Sequence, residues 1–195
     1  MRSNKSSVLS NKLKIFGQGK VLPYLRGDLA QAKESVAIIG PWIDIFFVKE
    51  VINSVKNDIN LKFIVRLWEM DVDKKTLYAL KYAKENISDF EARSLPKLHT
   101  KAIVIDNRII YMGSTNWYEY SLKKAVEMTI RGNMNELEGF DNLINDYWSN
   151  SKPIKLDDEK FDKVHRKPIT HEIIDPIARK ILEEDPKVFV ISKKD

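Results

Sequence analysis

Reactive side chains cluster in one short stretch of the chain, residues 99–116. The stretch reads HTKAIVIDNRIIYMGSTN and holds one of only three histidines in the sequence. His99 and Lys101 stand beside an apolar run, where polar side chains cost free energy unless a site requires them. Because alternate side chains of a strand share a face, these two would project the same way. With the hydroxyl of Ser114 and the amide of Asn116, they could hold a phosphate and leave an imidazole free to react.

A predicted β-hairpin would bring these groups together. Residues 98–106 and 108–112 are typical of two short strands, and Asp106-Asn107 is typical of the turn between them. The return strand leads directly into Gly113, whose backbone N–H could donate to a bound anion. The sequence therefore predicts one small volume that contains an imidazole, an ammonium, a hydroxyl and an amide.

The rest of the chain supplies elements that could position such a site. Continuous apolar runs indicate buried strands, apolar residues at helical spacing indicate amphipathic helices, and Asp73 is a plausible N-cap. Their alternation predicts an α/β domain in which a mixed β-sheet is flanked by helices on both faces. The strands are predicted over 36–40, 61–68 and 126–131, and the helices over 46–55, after Asp73 and over 135–148.

Three regions are predicted along the chain: a basic N-terminal arm (1–15), a catalytic domain (16–150) and a C-terminal extension (151–195). Six basic residues and no acid lie within residues 1–27, which fits a phosphate-binding arm, a transit peptide or a solvated terminus. The extension begins with a charged, aperiodic stretch, and a short helix and strand follow. Elements this short cannot form a core alone, so we expect the extension to pack on the core or on a partner protomer.

Composition excludes several kinds of chemistry. The 195 residues contain no cysteine, so disulfides, thiolate nucleophiles and zinc–thiolate sites are excluded. That composition fits a reducing compartment, and we expect a cytoplasmic location. No apolar run approaches the roughly 18 residues that a membrane span requires. The net charge of +5 is moderate and compatible with a polyanionic partner.

Six residues of this stretch share one fixed spacing, H-x-K-x4-D-x6-G-S-x-N, which resembles the signature of the phospholipase D superfamily. Glu127, on the next predicted strand, is similar to an acidic position in the nuclease branch of that superfamily. In the order of its elements the resemblance extends over residues 16–148. The signature residues are His99, Lys101, Asp106, Gly113, Ser114 and Asn116.

The resemblance implies a role for each of these side chains. His99 would be the nucleophile that forms a phosphohistidine. Lys101 and Asn116 would hold the phosphate with help from Ser114. Glu127 would hydrogen-bond the imidazole and stabilise its cationic state.

The resemblance also implies that no metal or other cofactor takes part. Asp106 would be the acid of the signature, although a residue in its place could instead organise the backbone of the hairpin turn.

The signature occurs only once in this chain, whereas two-motif members of the superfamily carry it twice. A phosphodiester leaving group needs a general acid, which the second histidine supplies in those enzymes. We therefore expect a homodimer that joins two copies of His99 across one composite site through the catalytic face.

The substrate is expected to be DNA or RNA. Aromatic and basic residues follow the predicted strands, where they could stack on bases and contact a phosphate backbone. Ordinary core packing is the alternative for each aromatic. Two further functions stay open: a phospholipid-hydrolysing enzyme, and a non-catalytic nucleic-acid-binding or scaffold protein on the same fold. The predicted substrate-binding residues are Trp42, Trp68, Trp117, Tyr118, Arg66 and Gly113.

Overall fold

The computed structural model describes residues 13–56, 58–67 and 73–157. None of the helices in these ranges is long and apolar enough to cross a membrane. The helices are α1 (Val21–Leu29), α2 (Ile45–Ser54), α3 (Lys74–Asn86), α4 (Glu119–Lys123) and α5 (Phe140–Asn150), with a 3₁₀ turn over Met134–Glu136. The strands are β1 (Lys14–Phe16), β2 (Ser35–Ile39), β3 (Asn60–Val65), β4 (Phe90–Ser94), β5 (Ala102–Ile105), β6 (Ile109–Gly113), β7 (Thr129–Asn133) and β8 (Lys152–Pro153).

The strands of the described ranges form one mixed sheet in the order β1-β7-β6-β5-β2-β3-β4-β8. β2, β3 and β4 are parallel, and α2 and α3 connect them, because parallel neighbours require a long crossover. β5, β6 and β7 are antiparallel to their neighbours, and β5 pairs with β2. The carboxyl ends of β2 and β3 therefore lie at the same end of the sheet as the amino end of β5. Open α/β sheets bind ligands beyond the carboxyl ends of their strands.

The two faces of the sheet are covered by different helices. Val36 and Ile38 of β2 lie in a large core with α1, α2 and α3. Ile39 of the same strand lies on the opposite face, packed with Ile144 and Trp148 of α5. A strand covered on both faces needs a nearly continuous apolar run. The predicted mixed sheet with helices on both faces is confirmed.

Several element boundaries differ from the predictions. The strand predicted over 98–106 is shorter, since β5 begins at Ala102. The helix predicted over 135–148 begins at Phe140, because Gly139 adopts a left-handed φ of 78°, which a continuous helix excludes. β1, α1, β4, α4 and β8 were not predicted. α1 contains a proline and a glycine, which weaken a helical pattern, and β4 (FEARS) holds only two apolar residues, too few for a strand signal.

The two predicted terminal regions lie mostly outside the described residues. Of the basic arm, residues 13–15 are described, and they run into β1. Of the extension, residues 151–157 are described: β8 pairs antiparallel with β4, and Leu156 is buried in the large core. The helix and strand predicted further along the extension lie outside the described residues.

Candidate active site

His99 and Lys101 lie next to each other directly before β5. They are at the end of the sheet where the parallel strands β2 and β3 finish. The Lys101 Nζ is 3.1 Å from the His99 Nδ1 and 3.2 Å from the Nε2, and it donates to the His99 backbone oxygen at 2.8 Å. Thr100 points to the opposite face, where its hydroxyl is hydrogen-bonded to the hydroxyl of Tyr147 at 2.8 Å. The alternation expected of a strand thus continues through residues that precede β5.

The two side chains of this pair differ in burial. His99 is exposed, whereas Lys101 is only 6% exposed. An ammonium group only donates hydrogen bonds, so the ring nitrogen that accepts from it carries a lone pair. Nucleophilic attack on phosphorus requires such a lone pair.

The electrostatic environment of Lys101 combines burial with charges of both signs. Burial lowers the pKa of Lys101 from its ordinary value; the carboxylate of Glu127 acts to raise it, and the positive charge of Arg66 lowers it further. Both charged side chains therefore act on the ammonium across the same site. An anionic ligand would stabilise the charged form of Lys101, because it adds an opposite charge nearby.

The loop after β6 approaches the start of β7 very closely. A Cβ atom at Gly113 would lie 2.0 Å from the backbone oxygen of Met128, so only glycine fits there. The Ser114 N–H donates to that same oxygen at 3.0 Å, and the Ser114 Oγ accepts from the Met128 N–H at 3.1 Å. The Gly113 N–H donates to the backbone oxygen of Lys101 at 3.3 Å. The backbone thus holds the glycine–serine loop beside the lysine.

Asn116 contributes an orphaned polar atom to this region. Its Oδ1 is buried and finds no hydrogen-bond partner within the described part of the chain. Buried polar atoms are normally satisfied, and an exception calls for an explanation. A bound ligand or water that donates to this oxygen would supply the missing hydrogen-bond partner.

Glu127 contacts hydroxyl groups in this structure. One carboxylate oxygen accepts from the hydroxyl of Ser114, and the other accepts from the hydroxyl of Ser121 at 3.1 Å. The hydrogen bond from Glu127 to the imidazole that the resemblance implied is therefore replaced here by these two contacts. Glu127 still acts on the site through its charge, which supports the charged form of Lys101.

Asp106 lies away from the other signature residues, at the far end of β5. It lies five positions after Lys101, which corresponds to about 16 Å along a strand. Its carboxylate accepts from the backbone N–H groups of Lys33, Glu34 and Ser35 at 2.9–3.2 Å. Partial burial acts to raise the pKa of Asp106, but these hydrogen bonds and the charge of Arg108 outweigh it and hold the pKa below its ordinary value.

The geometry of Asp106 supports the alternative reading, that of a turn residue. Asp106 and Asn107 both have positive φ angles, 52° and 47°, and asparagine and aspartate tolerate this conformation better than most residues. The structure thus corrects the assignment of Asp106 to the catalytic set. The Asp106 side chain instead fixes the hairpin turn and the start of β2.

Trp42 and Arg66 follow the parallel strands β2 and β3, and Trp42 lies beside the imidazole. The ring of Trp42 meets the ring of His99 edge-on, with the centroids 6.2 Å apart at an angle of 89°. The guanidinium carbon of Arg66 lies 4.5 Å from the centroid of Trp42, a cation–π contact. Trp42 thus contacts the imidazole of His99, and Arg66 contacts Trp42 and acts on Lys101 through its charge.

Trp117 is part of the core, which corrects its assignment to substrate binding. It is 0% exposed, stacks on Phe47 at 5.5 Å and donates its Nε1–H to the backbone oxygen of Ile39 at 2.8 Å. A fully buried indole cannot stack on a base. It anchors the segment after the signature to β2 and α2.

The other two predicted aromatics are less informative. Tyr118 is half-buried at the start of α4, and Trp68 lies outside the described residues.

Sequence reasoning missed Ser121, whose hydroxyl contacts Glu127. A single serine carries no signal of burial, so its contact with Glu127 could not be predicted.

Within the described ranges, no group of three or more histidine, aspartate or glutamate side chains is arranged to hold a metal ion. The described site instead consists of the imidazole of His99, the ammonium of Lys101, the guanidinium of Arg66 and the polar loop after β6. This donor set suits an anion.

Fold and site together define the class of the protein. A mixed β-sheet flanked by helices carries a histidine–lysine pair directly before β5. A glycine–serine loop follows the hairpin that β5 and β6 form. This combination is that of a phospholipase D-like domain.

Comparison with known proteins gives the family. The model of the family described as "Cardiolipin synthase, PLD-like domain" matches residues 25–148. The chain belongs to this family, and the predicted phospholipase D resemblance is confirmed. No curated protein sequence matches the chain at the threshold for significance.

Solved structures share the fold at low sequence identity. Nuc from Salmonella typhimurium, a phospholipase D family member, matches with a TM-score of 0.61 and 18% identity, over 73% of this chain and 99% of its own. NucT from Helicobacter pylori matches with a TM-score of 0.60 and 15% identity, over 73% and 99%. TrmBL2, an archaeal chromatin protein, matches with a TM-score of 0.52 and 16% identity, over 76% and 57%.

Proposed function

We propose that this protein is a metal-independent phosphodiesterase that cleaves DNA or RNA as an endonuclease, through a phosphohistidine on His99. The observation that carries this proposal is the contact between the exposed imidazole of His99 and the buried ammonium of Lys101. A reactive nitrogen accessible to solvent lies there beside a cation that is poorly solvated. A phosphodiester would satisfy both groups at once.

The first step forms a covalent intermediate. A ring nitrogen of His99 attacks phosphorus, a nitrogen–phosphorus bond forms, and the bond to the leaving oxygen breaks. Lys101 and Asn116 hold the non-bridging oxygens, on which negative charge grows in the transition state. The leaving oxygen takes a proton from a general acid.

The general acid is proposed to come from a second copy of the chain. His99 is the only histidine in the described ranges, so these residues offer one imidazole for two roles. In a twofold dimer, His99 of the second copy would protonate the leaving oxygen. It would then accept a proton from the water that attacks phosphorus and breaks the nitrogen–phosphorus bond. Both histidines return to their starting state.

Three observations favour nucleic acid as the substrate. Trp42 and Arg66 form an aromatic and cationic surface beside His99, and such surfaces bind bases and backbone phosphates. The chain is also basic overall, with a net charge of +5. TrmBL2, which shares the fold, is described as showing a novel mode of DNA binding.

Phospholipid is the second candidate substrate. The description of the matching family names cardiolipin synthase, and a phospholipid headgroup is linked by the same phosphodiester bond. The site chemistry alone fits both substrates.

A substrate comparison tests the proposal. Plasmid DNA, single-stranded DNA, RNA and vesicles that contain phosphatidylcholine are each incubated with the full chain in excess EDTA. We expect cleavage of a nucleic acid, its loss in His99→Ala, and its retention in His171→Ala, a matched change outside the signature. Release of choline alone would favour the phospholipid reading. Binding without cleavage, equal in the wild type and His99→Ala, would favour a non-catalytic protein.

A further inference from the structure

A buried hydroxyl outside the signature, that of Ser121, contacts the carboxylate of Glu127. Ser121, on α4, is 2% exposed, and its Oγ donates to one oxygen of the Glu127 carboxylate at 3.1 Å. The other oxygen of that carboxylate accepts from the hydroxyl of Ser114. The two oxygens of Glu127 are therefore held by different residues, one in the signature and one outside it.

The position of Ser121 is set by the core. The first N–H of α4, from Glu119, donates to one oxygen of Asp44 at 2.9 Å, and the other oxygen of Asp44 caps α2 at the Phe47 N–H. Leu122, next to Ser121, is buried in the large core. A helix of only five residues is thus fixed at its start and along its buried side.

We propose that Ser121 is a positioning residue for the phosphodiester reaction: its hydroxyl holds Glu127 in the orientation in which the carboxylate supports the site. This inference rests on the proposed function and adds a residue that the signature does not contain. A carboxylate held at one oxygen keeps rotational freedom about its side-chain bonds, whereas one held at both oxygens keeps a single orientation.

The consequence for the site follows from charge. The Glu127 carboxylate favours the charged form of the Lys101 ammonium, against burial and the charge of Arg66. Without the hydroxyl of Ser121, the half-buried carboxylate loses a partner, and it would turn towards solvent to recover one. The support for the catalytic groups weakens, although no atom that touches substrate has been removed.

A double-mutant cycle tests the proposal. The turnover of bis(4-nitrophenyl) phosphate and of a defined oligonucleotide is measured for the wild type, Ser121→Ala, Glu127→Gln and the double variant. We expect Ser121→Ala to lower kcat about tenfold, the size of one hydrogen bond to a charged group, with KM changed by less than about twofold. In the Glu127→Gln background the same change should have almost no further effect, because the serine acts through that carboxylate.

Matched controls separate positioning from a general loss of structure. Ser151 is also a buried serine, and its hydroxyl accepts from Arg93 at 2.9 Å and donates to the Trp148 backbone oxygen at 2.7 Å. Ser151→Ala should leave kcat unchanged. Thermal unfolding of each variant checks the fold. If Ser121→Ala does not fold, Ser121→Cys carries the same comparison, since a thiol has similar size and is a weaker donor.

Each outcome bears on one claim. A kcat of Ser121→Ala equal to that of Ser151→Ala overturns the role of Ser121, as does an equal loss of kcat in both Glu127 backgrounds. A wild-type protein that cleaves neither compound instead contradicts the proposed phosphodiesterase function.

Discussion

Replacing Lys101 with methionine separates the charge of this side chain from its packing. Methionine has a similar length and fills the same buried position without an ammonium group. The change removes the donor that lies 3.1 Å from the imidazole of His99. It also removes the cation that we propose to hold the phosphate.

The size of the effect follows from the strength of one charge-assisted hydrogen bond. Such a bond contributes about 1.5–3 kcal/mol, which corresponds to about a tenfold to hundredfold change in rate. We expect Lys101→Met to lower kcat/KM by at least that factor, because negative charge on the phosphate grows in the transition state.

The same substitution should lower kcat/KM but should not lower the stability of the fold. The pKa of Lys101 in the folded chain lies below its ordinary value of 10.5, so between the two values the unfolded chain binds more protons. Stability therefore rises with pH across that window, and the charged ammonium destabilises the fold at neutral pH. We expect Lys101→Met to unfold at a temperature no lower than the wild type.

The assay compares kcat/KM and the thermal midpoint of Lys101→Met with those of Lys152→Met. Lys152 is exposed on β8, at the far edge of the sheet, so the control makes the same charge change away from the site. A Lys101→Met variant that keeps more than about a third of the wild-type kcat/KM would refute this reasoning. So would an equal loss in both variants.

Three further substitutions test the structural assignments. Asp106→Ala should lower the free energy of unfolding by about 1–3 kcal/mol, since backbone donors lose their acceptor, while kcat per folded molecule stays unchanged; urea titration and kinetics check both. Because the pKa of Asp106 is held low, its contribution should vanish as pH falls through that lowered value, and a loss that persists in strong acid would contradict this. Trp117→Ala should cost about 3–5 kcal/mol, and a stable variant with weakened substrate binding would restore its role in base stacking. Gly113→Ala should unfold the chain or distort the hairpin, because its Cβ would lie 2.0 Å from the Met128 oxygen; an unperturbed circular dichroism spectrum and unchanged activity would contradict this.

Sequence patterns were sufficient for those parts of the fold whose signals are local. β2 is a continuous apolar run, and α3 begins after Asp73, whose side chain accepts from the Thr76 N–H as an N-cap does. The hairpin turn was predictable because Asp106-Asn107 favours positive φ. Each of these elements is specified by residues that are neighbours in the chain.

The parts that could not be predicted depend on contacts between distant residues. Trp117 follows the signature directly and was assigned to substrate, but its partners Phe47 and Ile39 lie about 70 residues or more away in sequence. Ser121 lies on α4, and the start of α4 is held by Asp44, which lies 75 residues before Glu119 in sequence. Burial of this kind is a property of the tertiary structure, and no local pattern encodes it.

The most direct test of the proposed chemistry is to trap the covalent intermediate. The full chain is mixed with a phosphorus-labelled oligonucleotide, quenched rapidly in alkali, where phosphohistidine persists, and digested for mass spectrometry. If His99 is the nucleophile, the label is found on the peptide that contains His99, and it is absent from His99→Ala. Label on another residue, or cleavage without any adduct, would contradict nucleophilic attack by this imidazole.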